Sequence, residues 1–501
     1  MMGDERLLIT GGLVVDTDSG HATHSDLLIA RGRIAAIGAP GSLAGAAARP
    51  HDARGRLIVP GLINAHTHGH ANLVKGVADA WTLEASLTNA PWLAGPRDPD
   101  TIYLSTLLGA ADMLSKGCTA CFDLLYEFPR PTMAGLMAAA RAYADAGMRA
   151  VLAPMIADQN LFQSIPGLAA SLPPDLRQAV GAFELASGEH TLAAVAAIAA
   201  ARADLPRGIT LAIAPTIPHH CSDGFLRSCR DIADRFDLPI HMHIAESRLQ
   251  AVAAQTIYGR SAIRHLAALG ILRPRFTAAH GVWIGEDDLD LLAGHGCSLA
   301  HIPASNFRLG SGVAHVRPML DRGLTVGLAT DGANSSDSLS MIEAMRLASY
   351  GARIFAGSRD AWLRAPEVLR LATQGGAKLL GLDAGGRIAQ GAPADLALFD
   401  LGHVDFIPAT DPVNQLVTCA DSASVTDVLV GGAFKLANRR LISVDLDNLR
   451  GRVQDSAARL AAATREARAL AARLEPHVVA FAQTVARQPL PIDRTITPEL
   501  D

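Results

Sequence analysis

The sequence predicts an α/β protein in which a (β/α)8 TIM-like barrel is joined to a small β-sandwich and a C-terminal helical extension. Residues 61–385 alternate short apolar runs with helical patterns, which is typical of a closed parallel sheet surrounded by helices. Residues 1–60 and 386–446 carry short strand-like runs separated by turns with Gly, Pro and Ser. Residues 447–501 begin with a helical pattern rich in Ala, Leu, Arg and Glu.

The two outer β segments are predicted to pack together, so that both ends of the chain build one sandwich beside the barrel. Their candidate strands lie at 7–10, 13–15, 26–30, 33–37, 57–59, 395–400 and 425–430. The last segment is interpreted as a surface or subunit-contact helix pair. We therefore expect a homo-oligomer, either a dimer or a larger assembly.

Eight candidate strands account for the barrel. They lie at 61–66, 118–124, 149–155, 209–215, 239–244, 276–280, 297–302 and 325–330. Helical patterns such as 101–115 and 222–236 separate them. In such a barrel the C-terminal ends of all strands meet at one mouth, where barrel enzymes keep their active sites.

Composition and charge narrow the class of protein. A chain of 501 residues with 49% hydrophobic and 19% charged content has ample apolar material for a core, which excludes a disordered protein. The net charge of −5 is small and no basic stripe is present, so we expect a small-molecule substrate and no nucleic-acid partner. Six Cys do not form a disulfide framework, and no secretory signal or membrane-length apolar run is evident. These features predict a cytoplasmic protein without membrane contact.

Candidate metal ligands stand where predicted strands end. They are His66 and His68 at the first strand, His243 and Glu246 at the fifth, His280 at the sixth and Asp331 after the eighth. A single His-x-His pair is weak evidence, although its two side chains share one face of a strand. Candidate ligands at four separate strand ends are improbable by chance. Imidazoles with a carboxylate suit Zn²⁺ or Fe²⁺ and do not suit Ca²⁺ or Mg²⁺.

These segments resemble the metal-dependent amidohydrolase superfamily, in its aminohydrolase and chlorohydrolase branch of cytosine, guanine and S-adenosylhomocysteine deaminases and triazine hydrolases. The resemblance extends over about residues 5–445. The matching segments are VPGLINAHTH at 59–68, HMHIAE at 241–246, AHG at 279–281 and TDGANS at 330–335, supported by AHIPASN at 300–306, GRI at 386–388 and ADL at 394–396.

By position, the resemblance implies four metal ligands, which are His66, His68, His243 and Asp331. It implies that Glu246 is the proton shuttle and that His280 orients or polarises the attacking water and the developing oxyanion. Binuclear members bridge two metals with a carboxylated Lys on a middle strand, and this chain has no Lys between 117 and 377. One divalent metal is therefore predicted, with Zn²⁺ favoured and Fe²⁺ as the alternative.

The predicted activity is that of a metal-dependent hydrolase acting on carbon-nitrogen bonds other than peptide bonds. Metal-bound hydroxide, formed with Asp331 as proton acceptor, would displace an amino or similar group from an electron-poor N-heterocycle or amidine carbon. Glu246 would carry the proton to the leaving group. The alternative is cleavage of an amide, urea or carbamate on the same site. A catalytically silent scaffold would have lost ligands, and all are present here.

Substrate contacts are predicted from the loops at the mouth. The candidates are Trp81, Glu84, Thr216, His219, His220 and His301. Thr216 stands where adenosine-type deaminases of the branch carry a substrate-binding His, a departure that disfavours a purine nucleoside unless His219 or His220 substitutes. His241 is interpreted as supporting or packing rather than ligating, and His301 as either a pocket residue or a structural one. The Trp81 segment could equally be the packed core of a lid.

Overall fold

Strands and helices make up most of the chain in the computed structural model, which describes residues 6–77, 79–354, 358–382, 384–492 and 494. The strands are β1 (Leu7–Val15), β2 (Ala22–Ala30), β3 (Arg33–Gly38), β4 (Arg49–Asp52), β5 (Arg56–Pro60), β6 (Leu62–Thr67), β7 (Cys118–Tyr126), β8 (Arg149–Ile156), β9 (Ile209–Leu211), β10 (Ala214–Pro215), β11 (Ile240–Ile244), β12 (Phe276–His280), β13 (Ser298–His301), β14 (Thr325–Leu328), β15 (Leu396–Asp400), β16 (Val425–Val430), β17 (Ala433–Ala437) and β18 (Arg440–Leu441).

The α-helices are α1 (Leu83–Ala94), α2 (Pro99–Ser115), α3 (Met133–Ala146), α4 (Leu161–Ser164), α5 (Leu168–Ser171), α6 (Pro174–Gly181), α7 (Gly188–Ala200), α8 (Asp223–Phe236), α9 (Arg248–Tyr258), α10 (Ala262–Ala268), α11 (Glu286–Gly294), α12 (Pro303–Arg308), α13 (Val316–Asp321), α14 (Met341–Ile354), α15 (Ala365–Arg370), α16 (Gly376–Leu380), α17 (Pro412–Thr418), α18 (Leu446–Ala463) and α19 (Arg465–Ala486). A π-helical turn at Leu371–Gly375 joins α15 to α16, and 3-10 turns include Gly69–Val74 and Pro218–His220.

Two parallel sheets form the barrel. One has the order β10-β8-β7-β6, with β9 also paired to β8, and the other has the order β11-β12-β13-β14. Backbone hydrogen bonds join the sheets at both seams, because His241 N–H donates to Ile213 O at 2.9 Å and Asp331 N–H donates to His66 O at 3.0 Å. Every predicted barrel strand position is occupied by a strand, the fourth being divided into β9 and β10.

Apolar side chains, many of them Ala, fill the interior of the barrel. They are Ile63, Ala65, Ala120, Phe122, Leu124, Val151, Ala153, Ala212, Ala214, Ala279, Ala300, Ile302 and Ala329. A larger apolar cluster lies between the strands and the surrounding helices. Along β7, Ala120 and Phe122 belong to the inner cluster and Cys121 to the outer one, as the period of two in a strand requires.

The loops at the mouth are held by ordinary helix caps. Ser222 Oγ accepts the Phe225 N–H at the start of α8, and Ser247 Oγ accepts the Gln250 N–H at the start of α9. Gly259 ends α9 in the left-handed region, with φ of 65°. The segments that follow β10 and β11 are therefore fixed at both ends, by the strand that precedes each one and by the capped helix that follows it.

Both ends of the chain contribute to a third sheet of nine strands. Its order is β18-β17-β16-β15-β5-β1-β2-β3, with β4 paired to β1, and the antiparallel β5–β15 pair joins the two chain ends. The sheet has an apolar cluster of its own, with members from β1, β2, β5, β15 and β16. Arg149 at the start of β8 donates to both carboxylate oxygens of Asp395, at 2.7 and 3.1 Å, and this ion pair ties the sheet to the barrel.

The last two helices cover part of the barrel mouth. Helix α18 packs on α2, and α19 packs on α1 and α9. Asn89 in α1 donates to Glu475 in α19 at 3.2 Å, and Trp92 shares an apolar cluster with Ala471. The sequence pattern predicts that this helix pair is a surface or subunit-contact element. Within the chain, the inner face of the pair supports helices next to the mouth. Among the described residues, no helix is both long and apolar enough to span a bilayer.

The turn before α16 lies against β14 with no room for a side chain. A Cβ added to Gly375 would stand 2.0 Å from the carbonyl oxygen of Val326. We expect Gly375→Ala to lower the free energy of unfolding by about 2 kcal/mol, because the backbone of a barrel strand must shift to admit the methyl group. Midpoints of urea and thermal unfolding measure this effect.

Gly224→Ala is the matched control for this substitution. Gly224 lies in α8 with helical φ, and a Cβ there meets nothing within 4 Å. The control should leave stability unchanged or raise it slightly, by at most about 1 kcal/mol. Equal midpoints for the two variants would contradict the close contact between Gly375 and β14.

Candidate metal and active site

Four side chains from three strand ends, which are His66, His68, His243 and Asp331, come together at the mouth of the barrel. Asp331 Oδ1 lies 3.4 Å from His66 Nε2 and 3.1 Å from His68 Nε2, and His68 Nε2 lies 3.3 Å from His243 Nε2. Ligand atoms held tetrahedrally at bond lengths of about 2.0–2.1 Å stand about 3.3–3.4 Å apart. These three separations match those expected around a single small cation such as Zn²⁺, and the ligand atoms of His66, His68 and Asp331 all lie within 4.8 Å of one another.

Two of the converging atoms are buried without a partner. Neither His66 Nε2 nor Asp331 Oδ1 has a hydrogen bond to any described residue. A buried polar atom without a partner costs about 1–3 kcal/mol. Since such atoms are rare in folded proteins, their meeting at one point favours a bound ion that satisfies both. The donor set of imidazoles and a carboxylate is chemically suited to that role.

Second contacts fix which nitrogen of each imidazole faces the site. His68 Nδ1 donates to Leu124 O and His243 Nδ1 donates to Thr216 O, both at 2.8 Å. Because a carbonyl oxygen only accepts, both Nδ1 atoms carry the proton and both Nε2 atoms keep a free lone pair. A metal ligand needs that lone pair, and the backbone of two strands holds the rings in place for it.

His66 is supported by another imidazole. Its Nδ1 lies 3.0 Å from His241 Nε2, and His241 is fully buried beside the ring of Phe122. Burial and the charge of His66 lower the pKa of His241 well below its usual value, so the ring is neutral. His241 thus contacts Nδ1 of His66, whereas Nε2 of the same ring faces Asp331.

Asp331 is held by two hydroxyl groups. Ser305 Oγ donates to Asp331 Oδ2 at 2.7 Å and Ser335 Oγ donates to the same atom at 2.8 Å, which leaves Oδ1 for the imidazoles. Burial opposes ionisation, yet the adjoining imidazoles of His66 and His68 hold the pKa of this carboxyl well below its usual range. Asp331 adopts φ of 72°, an uncommon value for a residue with a side chain and one often found at functional sites.

Glu246 and His280 form a second pair at the same mouth. Glu246 Oε2 lies 3.4 Å from His280 Nε2, and His280 Nδ1 lies 2.9 Å from Asn306 Oδ1. Glu246 Oε1 is buried and has no partner among the described residues. Burial, followed by the nearby charges of Asp331 and Glu84, raises the pKa of Glu246 well above its usual value. The raised pKa favours the protonated form of this carboxyl, which is the form that could deliver a proton to a bound molecule.

A cavity of about 190 Å³ opens onto these groups. Its polar lining includes His68, His243, Glu246 and Asp331, together with two predicted substrate contacts, Thr216 and His220. Its apolar lining is Leu83, Leu87, Ala90, Pro91, Leu93, Met155, Ala157, Leu161, Phe162, Phe183, Leu185, Ile217 and Leu309. The remaining lining side chains include His70, Tyr126, Gln159 and Asn334.

Four other predicted substrate contacts stand behind this lining. Glu84 Oε1 accepts the hydroxyl proton of Ser247 at 2.6 Å, and Trp81 packs edge-on against Trp92 with ring centroids 6.1 Å apart. His219 packs edge-on against His220 at 5.0 Å. His301 is buried at the end of β13, and burial lowers the pKa of its imidazole to about 3. The structure thus places Glu84 against Ser247, the residue after Glu246, and Trp81 in an apolar cluster with Trp92.

Several residues that support the site were not predicted from the sequence. Asp123 accepts the Gly69 N–H at 2.7 Å and the Tyr143 hydroxyl at 2.9 Å, and so fixes the turn that follows His68. Asn306, Ser305 and Ser335 lie within the segments AHIPASN and TDGANS, so their position in these motifs could have indicated a supporting role. The apolar wall from α1, α4 and the segment after α6 gave no signal, because its residues look like any buried helix face.

Comparison with known proteins places these features in a family. The amidohydrolase family model matches residues 57–435. A 5-methylthioadenosine/S-adenosylhomocysteine deaminase of Nitratidesulfovibrio vulgaris is 33% identical over 453 residues, covering 88% of this chain and 94% of the relative. A 5'-deoxyadenosine deaminase of Methanothermobacter thermautotrophicus is 31% identical over 444 residues, covering 88% of this chain and 95% of the relative.

Solved structures agree with the sequence relatives. An adenosine deaminase from Xanthomonas campestris with bound zinc superposes with a TM-score of 0.80 at 28% identity, covering 91% of this chain and 98% of the other. A mutant of the atrazine chlorohydrolase TrzN from Arthrobacter aurescens, complexed with zinc and atraton, gives 0.79 at 26% identity, covering 90% and 100%. The resemblance inferred from the motifs is confirmed, and this chain belongs to the amidohydrolase family.

Proposed function

We propose that this chain is a mononuclear metal-dependent aminohydrolase that displaces an amino or similar group from an electron-poor N-heterocycle or amidine carbon. The observation that carries the proposal is the convergence of three imidazole Nε2 atoms and Asp331 Oδ1 beside the buried acid Glu246. Similarity to proteins named as deaminases supports deamination over hydrolysis of an amide, urea or carbamate.

The proposed metal ligands are His66, His68, His243 and Asp331. When bound, a divalent ion supplies Lewis acidity and lowers the pKa of a coordinated water toward neutrality. Zinc is favoured because two similar solved structures carry it, and Fe²⁺ suits the same donors. A single ion is proposed because the chain has no Lys between 117 and 377 that could be carboxylated to bridge two.

Glu246 is proposed to move protons at the reacting nitrogen. The pKa of its carboxyl is raised by burial, and Oε1 faces the site without a partner among the described residues, so it can protonate a leaving amino group. His280, held through Nδ1 by Asn306, keeps Nε2 towards the Glu246 carboxyl and orients the attacking water. Asp331 stays ionised and can accept the proton of that water.

The domain division, the homo-oligomer and the cytoplasmic location stay predictions. We assign the chemistry to the barrel segment 61–385 and a structural role to the sheet built from 1–60 and 386–446. Segment 447–501 is proposed to support the mouth, because α19 packs on α1, whose residues line the cavity. An assembly formed through this segment would place a subunit contact beside the site.

Glu246→Gln tests the proton shuttle. An amide of the same size cannot cycle a proton, so we expect kcat for ammonia release to fall by about 10³-fold while the protein binds metal as before. The substrate panel consists of amino-substituted pyrimidines, purines and triazines, with ammonia and metal content both measured. Glu189→Gln, an exposed residue of α7, is the control. Full turnover by Glu246→Gln would contradict the assignment, and silence of the wild-type protein on the whole panel would contradict deamination.

Metal removal tests the requirement for the ion. Dialysis against a chelator should abolish turnover, and one equivalent of Zn²⁺ per chain should restore it. A requirement for two equivalents would contradict a mononuclear site. Turnover that persists in metal-free protein would contradict the metal-dependent mechanism as a whole.

Ser305→Ala tests the support of the carboxylate ligand. Loss of one of the two hydroxyl groups that hold Asp331 Oδ2 should weaken zinc affinity by about 10-fold or more, as measured by competition with a chromogenic chelator. Ser336→Ala is the matched control, because this buried hydroxyl donates to backbone carbonyls and has no bond to Asp331. Equal affinities for the two variants would show that the hydroxyl contact does not support the ligand.

A further inference from the structure

One ring nitrogen in the cavity wall is buried without a hydrogen-bond partner among the described residues. It is Nε2 of His220, a residue that lines the cavity and is only 6% exposed. Burial lowers the pKa of His220 to about 4, so the ring is neutral at pH 7 and carries one donor and one acceptor. An unsatisfied buried polar group destabilises the folded state, so its presence in a ligand cavity points to a partner supplied by the ligand.

The turn that carries His220 is held in place from two sides. The Gln159 N–H donates to His220 O at 3.0 Å. Two residues further on, Asp158 accepts both the N–H of Ser222 at 2.8 Å and its hydroxyl at 2.5 Å. The imidazole therefore stands on a fixed 3-10 turn rather than on a loose loop, and a hydrogen bond from it would orient a ligand without ordering the chain first.

The rest of the wall carries no charge that could meet a charged substituent. The cavity lining contains no Lys or Arg among its described residues, and its only carboxyl groups are the two of the reacting site, Glu246 and Asp331. Much of the remaining lining consists of aliphatic and aromatic side chains of α1, α4 and the segment that contains Phe183 and Leu185. A charged substituent placed there would lose its water and gain no counter-ion.

We propose that the site selects uncharged amino-heterocycles with apolar substituents, and that His220 is the specificity-determining residue that hydrogen-bonds the ring. This inference rests on the proposed aminohydrolase function and adds the class of substrate to it. The ring lies with its reacting carbon towards Glu246 and its substituents against the apolar wall. His220 offers a donor and an acceptor, which matches a ring nitrogen or an exocyclic amino group.

The charge preference is tested by binding to the zinc-loaded Glu246→Gln variant, in which turnover is suppressed. 5'-Methylthioadenosine and S-adenosylhomocysteine are a matched pair, since both carry adenine and a thioether and only the second ends in a charged amino acid. Calorimetric titration should give a dissociation constant about 100-fold lower for the uncharged member. Atraton serves as a second uncharged probe with a smaller ring. Equal affinity for the pair, or no binding of either uncharged probe, would overturn the proposed selectivity.

The role of His220 is tested in the same background. His220→Phe keeps a ring but removes both hydrogen-bonding atoms, and should weaken binding of the uncharged probes about 10-fold or more. His220→Gln restores a donor and an acceptor and should recover part of the loss. His295→Phe, a substitution of an exposed histidine at the end of α11, is the control. Affinity in His220→Phe equal to that in the control would overturn the assignment, and thermal midpoints identify any variant that fails to fold.

The two proposals fail in different ways. Ammonia release without discrimination between the matched pair would overturn the substrate class and leave the aminohydrolase function standing. Discrimination and dependence on His220 without ammonia release from any heterocycle would overturn the function and leave the binding assignment standing. If the wild-type enzyme is active, steady-state kinetics also separate binding from chemistry, because His220→Phe should raise KM more than it lowers kcat.

Discussion

The buried carboxylate of Asp331 is the group around which the barrel mouth is organised. A carboxylate taken out of water must be compensated on both oxygens, and here two hydroxyl groups bond one oxygen while imidazoles face the other. The same segment also closes the barrel. Thr67 Oγ1 donates to Asp331 O at 2.9 Å, and Asn64 exchanges two hydrogen bonds with Thr330 at 2.7 and 3.0 Å. The residues that close the barrel therefore also fix the position of the Asp331 carboxylate, so a change that disturbs one would disturb the other.

The sequence predicts the strand positions and the meeting of the candidate ligands at one mouth, because both follow from local pattern. A period of two places His66 and His68 together, and parallel strands bring their ends to one mouth. The wall of the cavity could not be predicted, since Leu87 or Phe183 is an ordinary apolar residue until the fold shows which face it presents. For the same reason the sequence leaves open whether Trp81 contacts a substrate or packs in the core, and the structure places it in an apolar cluster with Trp92. Long-range packing decides these positions, and no periodicity encodes it.

The lining of the cavity combines two physical environments. One side is polar and rich in groups whose proton affinities are shifted by burial, while the other is apolar and backed by the last helix. Leu87 and Phe162 line the cavity and also belong to a cluster with Val478 and Ala482 of α19. Chemistry thus depends on strand ends that are fixed by backbone hydrogen bonds, whereas ligand shape depends on helices that are fixed by side-chain packing. The second kind of contact tolerates substitution more readily, so recognition can change while the reacting groups stay as they are.

The pairing of β5 with β15 has a consequence for how the protein is made. The ribosome releases the first strands of the nine-stranded sheet long before their partner, because the whole barrel lies between residues 60 and 396. Ligand assembly is delayed in the same way, since His66 meets Asp331 only after 264 further residues have been added between them. Until then apolar strand edges are exposed, which is the condition under which nascent chains aggregate or need chaperones. Metal loading is therefore expected to follow synthesis rather than accompany it.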